Sequence, residues 1–231
     1  MEYSNLPLTG GPDQREDPDV QAVVFDMDGV LVDSFAVMRE AFTIAYAEVV
    51  GAGPPPFQEY NRHLGRYFPD IMRIMGLPLE MEEPFVRESY RLAHRVTMFE
   101  GIPDLLTSLR GRGIGLAVAT GKSGARARSL LDKVGILALF DHVIGGDEVP
   151  RAKPAPDMVL RALDLLDVRA EQALMIGDAV TDLQSARAAG VRAVAALWGE
   201  APEADLLAQH PDAALHSPRE LHELLPRVPV H

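Results

Sequence analysis

Two aspartates, Asp26 and Asp28, stand directly after a short apolar run at residues 22–25, and Gly29 follows them. The apolar run is typical of a buried strand, and a glycine lets the backbone turn without the steric penalty of a Cβ atom. Because reactive groups gather at the carboxyl ends of strands in a parallel sheet, we expect both carboxylates at such an edge. One carboxylate could attack a phosphoryl centre or bind a metal ion while its neighbour transfers protons. A purely structural Asp-Gly turn is the alternative that this stretch leaves open.

Two later stretches offer groups that could bind an anion. Thr120 supplies a hydroxyl group, Gly121 permits close approach to the backbone, and the helix expected next presents free amide groups in its first turn. Lys153 is followed by Pro154 and Pro156, which restrict the backbone and help to hold the ammonium group in one place. Taken alone, Thr120 is better explained as a helix cap and Lys153 as a solvent-exposed lysine.

A second pair of aspartates follows another apolar run. Asp178 comes after Gly177 at the expected end of a strand, and Asp182 lies one helical turn further on the same face. Carboxylates at this spacing suit a hard cation such as Mg²⁺, which prefers oxygen ligands. The alternative is structural, because Asp178 could cap the helix while the helix dipole favours Asp182.

Strands that alternate with helices are expected to position these groups. Apolar runs indicate strands at 114–119, 142–144, 173–176, 192–196 and 213–215, helices at 104–110, 125–134, 155–166 and 178–189, and short helices after Pro202 and Pro218. This alternation predicts right-handed crossovers and an α/β fold, a Rossmann-like parallel sheet flanked by helices.

The residues between the first strand and this alternating region have a different pattern. Helical spacing predicts a helix at 34–50 with Ser34 as its N-cap, and residues 57–99 indicate several short helices without a strand. We interpret this region as an all-α cap inserted into the α/β core. The predicted domains are residues 34–100 for the cap, and residues 20–33 together with 101–231 for the core.

Composition limits the partners of the chain. Its net charge is −12, with 34 acidic against 22 basic residues, so nucleic acid and membrane surfaces are not expected partners. The absence of cysteine excludes disulfides, thiolate nucleophiles and cysteine-bound zinc. Residues 1–19 lack periodicity and a signal-peptide pattern, and we interpret them as a disordered tail. No apolar run reaches membrane-spanning length, and we expect a cytoplasmic protein that is a monomer or a homodimer.

The order of these groups resembles the haloacid dehalogenase (HAD) superfamily, in the form with an α-helical cap inserted after the first motif. The resemblance spans residues 20–198, and the Thr-Gly-Lys-Ser stretch at 120–123 is similar to that of phosphoglycolate-phosphatase-like members. Four motifs carry it: Asp26-x-Asp28-Gly29 resembles motif I, Thr120 motif II, Lys153 motif III, and Gly177-Asp178 with Asp182 motif IV.

The resemblance implies phosphoryl transfer through an aspartyl-phosphate on Asp26, with Asp28 as the acid and then the base. It also implies a Mg²⁺ ion held by the carboxylates of Asp26 and Asp178 and by the backbone carbonyl of Asp28. Asp182 would support the metal site or orient Lys153. Such an ion neutralises carboxylates and lets an anionic nucleophile approach an anionic phosphate.

The phosphoryl oxygens are implied to bind Thr120, the amide of Gly121 and Lys153. The expected partner is therefore a small phosphorylated substrate, and the expected cofactor is Mg²⁺. One Mg²⁺ and one lysine would supply the local positive charge that a surface of net charge −12 lacks.

Four cap residues at the Gly65 bend are candidates for substrate contact, and a solvated cap surface is the alternative. They are Arg62, His63, Arg66 and Tyr67, and Arg66 is our choice as a substrate-binding residue. Two arginines after the second motif, Arg126 and Arg128, could assist substrate binding, but we interpret them as exposed helix residues. The cap sequence is also similar to HAD proteins associated with biosynthesis of 3-amino-5-hydroxybenzoate (AHBA), a starter unit of ansamycin-type antibiotics, which implies a phosphorylated sugar or aminosugar as the substrate.

Within the superfamily these residues favour a phosphatase. True dehalogenases lack the second aspartate of motif I, and phosphonoacetaldehyde hydrolases need a cap lysine, which residues 34–100 do not contain. β-Phosphoglucomutases carry a histidine where Met38 aligns. We predict Mg²⁺-dependent hydrolysis of a small phosphomonoester, a sugar phosphate or a phosphoglycolate-like ester. Two alternatives stay open: a phosphomutase of the β-phosphoglucomutase type, and a non-enzymatic HAD-fold regulatory or partner-binding protein.

Overall fold

A six-stranded parallel sheet lies at the centre of the computed structural model, which describes residues 20–225 apart from the side chain of Glu223. The tail predicted at residues 1–19 lies outside the described residues. The strands of the chain are β1 Ala22–Phe25, β2 Val32–Asp33, β3 Thr97–Met98, β4 Gly115–Thr120, β5 His142–Gly145, β6 Ala173–Gly177, β7 Arg192–Ala196 and β8 Ala213–Leu215. The large sheet has the order β5-β4-β1-β6-β7-β8, and every pairing in it is parallel. The predicted α/β fold is confirmed.

Helices join the parallel strands and cover both faces of the sheet. They are α1 Phe35–Val49, α2 Phe57–Asn61, α3 Phe68–Met75, α4 Glu82–Leu92, α5 Ile102–Gly111, α6 Gly124–Lys133, α7 Asp157–Leu166, α8 Val180–Ala188, α9 Glu203–Leu207 and α10 Leu221–Leu224. Parallel strands need such crossovers because a short turn cannot return the chain to the same end of the sheet.

Strand β1 shows why both faces need a cover. Its four residues are all buried, and successive side chains point to opposite faces. Val23 and Phe25 belong to the apolar cluster that includes residues of α5 and α6, whereas Ala22 and Val24 belong to the cluster that includes residues of α7 and α8. A continuous apolar run is therefore the expected pattern for a central parallel strand.

The four helices α1–α4 form a separate apolar cluster above the carboxyl ends of the strands. Its centre is aromatic: the rings of Phe68 and Phe85 stack with centroids 4.1 Å apart, and those of Phe42 and Tyr60 lie 4.7 Å apart. These helices pack on one another through their own buried face, as an inserted cap requires. The domain bounds of 34–100 stay a prediction.

A two-stranded antiparallel ribbon joins the helical insertion to the core. Val32 pairs with Met98 and Asp33 with Thr97, and the amide of Phe99 donates to the carbonyl of Leu31 over 3.2 Å. The expectation that residues 57–99 contain no strand is therefore wrong at its end. A strand of two residues is too short to show an alternating pattern, which needs about four residues.

Ser34 precedes α1, as the sequence indicates, but its side chain does not cap the helix. Its hydroxyl donates instead to the carboxylate of Asp28. The prediction that Ser34 acts as an N-cap is correct for its position and wrong for its hydrogen bond, because a buried carboxylate competes for the hydroxyl.

Candidate active site

The carboxyl ends of three neighbouring strands bring the predicted groups together. Asp26 follows β1 directly, Thr120 is the last residue of β4, and Asp178 follows β6. Because β1 lies between β4 and β6, all three side chains meet at the middle of the sheet. All three are buried.

The interpretation of Asp178 as a helix cap is wrong, because α8 begins after Ala179. The Asp182 carboxylate accepts the amide hydrogen of Ala179 over 3.0 Å.

Lys153 is the buried cation of this site. Its Nζ donates to Asp26 Oδ1 over 2.5 Å, to Asp182 Oδ1 over 2.6 Å and to the carbonyl of Ala119 over 3.0 Å. All three ammonium donors are therefore used, and the interpretation of Lys153 as a solvent-exposed lysine is wrong. Although burial opposes its charge, the carboxylates of Asp182 and Asp26 raise the pKa of Lys153 above its ordinary value.

Negative charge exceeds positive charge around Lys153. Burial raises the pKa of Asp26 to about 7 even though Lys153 acts to lower it. Burial, and then repulsion from Asp26 and Asp182, raise the pKa of Asp178 well above its ordinary value. The neighbouring carboxylates repel one another, and one lysine does not compensate three of them.

The carboxylates of Asp26, Asp178 and Asp182 fit a bound divalent cation. Each offers an oxygen within 4.8 Å of those of the other two, and oxygen is the ligand atom that Mg²⁺ prefers. Two glycines make room for Asp178, because a Cβ atom added at Gly29 would lie 1.9 Å from its Oδ2 and one at Gly199 would lie 2.4 Å from it. The cluster is thus a shaped acidic cradle rather than an exposed group of acids.

Asp28 faces a different environment. Lys122 Nζ donates to both of its carboxylate oxygens over 2.7 Å, and Ser34 adds a third hydrogen bond. Burial acts to raise the pKa of Asp28, but the charge and hydrogen bonds of Lys122 outweigh it and hold this pKa below its ordinary value. The same burial lowers the pKa of Lys122, and nearby Arg126 adds to that effect.

Sequence reasoning missed Lys122 as a site residue. The available signal was its place directly after Thr120 and Gly121, in a chain that contains only three lysines. Its amide also donates to the Thr120 hydroxyl oxygen over 3.2 Å. The loop after β4 therefore delivers a hydroxyl group and an ammonium group to the same site.

Arg126 is buried, so its interpretation as an exposed helix residue is wrong. Its side chain is only 6% exposed, and its Cζ lies 5.0 Å from the centroid of the Phe85 ring. Arg128, two positions further on α6, points away and forms an ion pair with Glu148 over 2.7 Å with 43% of its side chain exposed. No local signal separated the two arginines, because both lie on α6 and only the helical insertion that packs on Arg126 buries it.

A cavity between the helical insertion and the sheet contains these groups. The core contributes Asp26, Asp28, Thr120, Gly121, Lys122, Arg126 and Asp178 to its lining, and the insertion contributes chiefly Phe35, Met38, Tyr60, Arg66, Phe68 and Phe85. Its volume is about 50 Å³. The site is therefore polar toward the sheet and largely apolar toward the helices, and it is small.

Only one of the four candidate cap residues lines this cavity, and it is Arg66. Arg62 is 74% exposed at its side chain and pairs with Glu59, whose carboxylate also contacts His63 Nε2 at 3.2 Å. Tyr67 donates from its hydroxyl to Glu82 over 3.2 Å. Contact of Arg66 with a substrate stays a prediction.

The loop that carries Arg66 packs tightly on the core. The Thr181 hydroxyl donates to the carbonyl of Leu64 over 2.8 Å. A Cβ atom added at Gly121 would lie 2.4 Å from the Arg66 carbonyl oxygen, and Gly65 adopts a φ of +80° against Thr181. The insertion is therefore closed over the strand ends, and glycines permit this close approach.

Comparison with known proteins agrees with this geometry. The sequence pattern of the family described as "Haloacid dehalogenase-like hydrolase" matches residues 23–196. The chain is 33% identical over 198 residues to "Probable phosphatase IndB" of Dickeya dadantii, covering 77% of this chain and 81% of that protein. It is 30% identical over 218 residues to "Phosphoglycolate phosphatase" of Chromobacterium violaceum, covering 89% and 96%.

Solved structures show the same fold. A haloacid dehalogenase-like family hydrolase from Streptococcus pneumoniae superposes with a TM-score of 0.75 at 30% identity, covering 88% of this chain and 97% of that one. Within residues 20–225, we find no helix whose length and apolar character would let it cross a lipid bilayer.

Proposed function

Because the chain belongs to the haloacid dehalogenase-like hydrolase family, we propose that it is a Mg²⁺-dependent phosphatase that hydrolyses small phosphomonoesters through an aspartyl-phosphate intermediate. One observation carries the proposal. Asp26 lies at the end of β1, bonded to the buried Lys153, in a cavity that is closed by the helical insertion. A carboxylate held this way can act as a nucleophile in covalent catalysis.

Asp26 is the proposed nucleophile. Lys153 donates to its Oδ1, so Oδ2 is the oxygen available to form the new bond to phosphorus. The bond from phosphorus to the leaving oxygen breaks as this bond forms. Thr120, the Gly121 amide and Lys153 are proposed to bind the phosphoryl oxygens and so to stabilise the negative charge of the transferring group. Lys153 would release one of its three present acceptors to do so.

Asp28 is the proposed acid and base. It gives a proton to the leaving oxygen and then takes one from the water that attacks the aspartyl-phosphate. In the structure its carboxylate is bonded to Lys122 and Ser34, so both steps require it to exchange at least one of these partners. The loop after β4 therefore takes part in proton transfer as well as in phosphate binding.

Asp26 and Asp178 are proposed to hold Mg²⁺ together with the backbone carbonyl of Asp28. When bound, the ion would neutralise the carboxylates and act as a Lewis acid toward the phosphoryl group. Asp182 is a support residue, because its Oδ1 binds Lys153 over 2.6 Å and its Oδ2 accepts the amide hydrogen of Ala179. Its position agrees with the predicted alternative that it orients Lys153.

Release of inorganic phosphate tests the proposal directly. Purified protein is incubated with p-nitrophenyl phosphate and with a panel of sugar phosphates, aminosugar phosphates and phosphoglycolate, with Mg²⁺ or with EDTA. Wild type and Asp132→Asn, which changes an exposed aspartate at the far end of α6, are expected to release phosphate only with Mg²⁺. Asp26→Asn is expected to lose turnover with an unchanged circular dichroism spectrum.

Full activity of Asp26→Asn would refute the assigned nucleophile. Isomerisation of a sugar 1-phosphate without phosphate release would favour the phosphomutase. The similarity of the cap sequence to HAD proteins associated with AHBA biosynthesis is the reason to include aminosugar phosphates in the panel.

A further inference from the structure

Charge is divided unequally between the two sides of the cavity. Toward β6, Lys153 meets the carboxylates of Asp26, Asp178 and Asp182. Toward α6, the cations Lys122 and Arg126 both line the cavity beside Asp28, and Lys122 donates to both oxygens of the Asp28 carboxylate. The first side has room for a cation, and on the second side Arg126 acts on Asp28 through its charge alone.

The buried side chain of Arg126 has a hydrogen-bond donor without a partner among the described residues. Its Nη2 is buried, and no atom of residues 20–225 accepts a hydrogen bond from it. Among the carboxylates, Asp28 has the largest charge effect on Arg126, followed by Glu82. The Asp28 carboxylate, however, is already occupied by Lys122 and Ser34. A buried guanidinium nitrogen without an acceptor is costly, because its transfer from water removes hydrogen bonds that nothing replaces.

The surroundings of Arg126 form a built site. The face of the Phe85 ring covers the guanidinium, and the buried ring of Tyr60 lines the same cavity. Both aromatic residues come from the helical insertion, whereas Arg126 comes from a core helix. A ligand that reaches Nη2 therefore lies between the insertion and the core, on the side of the cavity away from Lys153.

We propose that Arg126 determines substrate specificity by binding a carboxylate on the leaving alcohol, so that the preferred substrates are phosphomonoesters of small hydroxycarboxylic acids. The inference rests on the proposed phosphatase function. A carboxylate supplies a charged acceptor for the unsatisfied Nη2 of Arg126, and its two oxygens match the planar guanidinium. A neutral hydroxyl group at this place would offer an acceptor but no charge to pair with the guanidinium.

Matched substrates and matched variants test the inference. The substrate pairs are phosphoglycolate with ethyl phosphate and 3-phosphoglycerate with glycerol 3-phosphate, whose members differ by the carboxylate. The variants are Arg126→Met, Arg126→Lys and, as control on the same helix, Arg128→Met. The measured quantity is the ratio of kcat/KM for the carboxylated member to kcat/KM for the neutral member.

We expect this kcat/KM ratio to be greater than one for wild type and to have the same value for Arg128→Met. Arg126→Met should lower that ratio about 100-fold, since truncating one partner of a buried charge pair weakens the interaction by this order. Arg126→Lys should recover part of it. Equal loss for both members would assign Arg126 a structural role only, and an unchanged ratio would also overturn the inference.

Equilibrium binding separates this inference from the proposed function. Asp26→Asn, with and without Arg126→Met, is titrated with phosphoglycolate and with ethyl phosphate by calorimetry in Mg²⁺ buffer. Tighter binding of phosphoglycolate that depends on Arg126 upholds the inference even if wild type hydrolyses no ester. Equal affinity of both proteins for phosphoglycolate refutes it even if every ester is hydrolysed.

Discussion

Lys122 donates hydrogen bonds to both carboxylate oxygens of Asp28, each over 2.7 Å, although the two residues are 94 positions apart in the chain. Because Lys122 lowers the pKa of Asp28, it opposes the protonated form that a leaving alcohol requires. In the proposed mechanism, this pair controls what fraction of the protein has Asp28 protonated for the first step. The two hydrogen bonds also hold the Asp28 carboxylate on the side of the cavity that Lys122 and Arg126 line.

Lys122→Met is expected to move the basic limb of the pH profile of kcat/KM to higher pH for alkyl phosphates. Removing the cation raises the pKa of Asp28, so its protonated form persists at higher pH, and kcat/KM reports the steps up to cleavage of the first P–O bond. The control substrate is p-nitrophenyl phosphate, whose leaving group needs no proton. An identical shift for both substrates would contradict the assignment of Asp28 as the acid.

Metal-free protein is expected to lose stability as pH rises from 5 to 8. Folding raises the pKa of Asp26 to about 7 from an ordinary value of 3.8, so the stability that its proton contributes is complete below about pH 4 and is lost as pH rises through about 7. Asp178 acts in the same direction. Thermal unfolding in EDTA measures the effect, and Mg²⁺ should raise Tm more at pH 8 than at pH 5.

Asp178→Asn serves as the control for this pH dependence. It removes one of the buried negative charges, and the fall of Tm between pH 5 and pH 8 in EDTA should become shallower. A wild-type Tm that is constant or rises over this interval in EDTA would contradict the charge excess described for the site.

Lys153→Met is expected to lower the free energy of unfolding by about 3 kcal/mol or more at pH 8 in EDTA, because it leaves buried carboxylates without their cation. The difference should shrink at pH 5, where protonated carboxylates need no partner. Urea unfolding measures it. Lys133→Met, which changes an exposed lysine, is the matched control and should remain within about 0.5 kcal/mol of wild type. Wild-type stability of Lys153→Met would refute the buried ion network.

Gly121→Ala is expected to displace the loop that carries Gly65 and Arg66 and so to reduce kcat/KM about 10-fold or more. This loss corresponds to an increase of about 1.4 kcal/mol or more in the activation free energy. The new methyl group would lie 2.4 Å from the Arg66 carbonyl oxygen, so the loop cannot close as it does in the structure. The amide of residue 121 is retained. Gly111→Ala has open space around it and should behave as wild type. Unchanged kcat/KM for Gly121→Ala would show that this closure is not needed.

The sequence was sufficient to place the groups that stand at strand ends. Asp26, Thr120 and Asp178 each follow an apolar run, and parallel strands must bring such positions to one edge of the sheet. The fold class and most element bounds follow from the same alternation of apolar runs and helices. Lys153 depended on the resemblance to the superfamily, since nothing in its own stretch shows that its ammonium group reaches Asp26, 127 residues away.

Groups on the leaving-group side could not be placed in this way. Arg126 and Arg128 have the same type and lie on the same helix, so only the packing of the helical insertion decides that one is buried and the other exposed. The same holds for Arg66 among the four cap candidates. Such choices depend on how one layer packs on another, which local patterns do not encode.

The ribbon of Val32–Asp33 with Thr97–Met98 ties together both connections between the insertion and the core. Because the two crossings are hydrogen-bonded to each other, we expect them to bend together rather than independently. The turn that begins the ribbon also holds Asp28, because Asp28 forms a bridge with Val32 and the Gly29 amide donates to the Val32 carbonyl over 2.9 Å. We therefore expect any swing of the insertion to reorient Asp28, the proposed proton donor, at the same time.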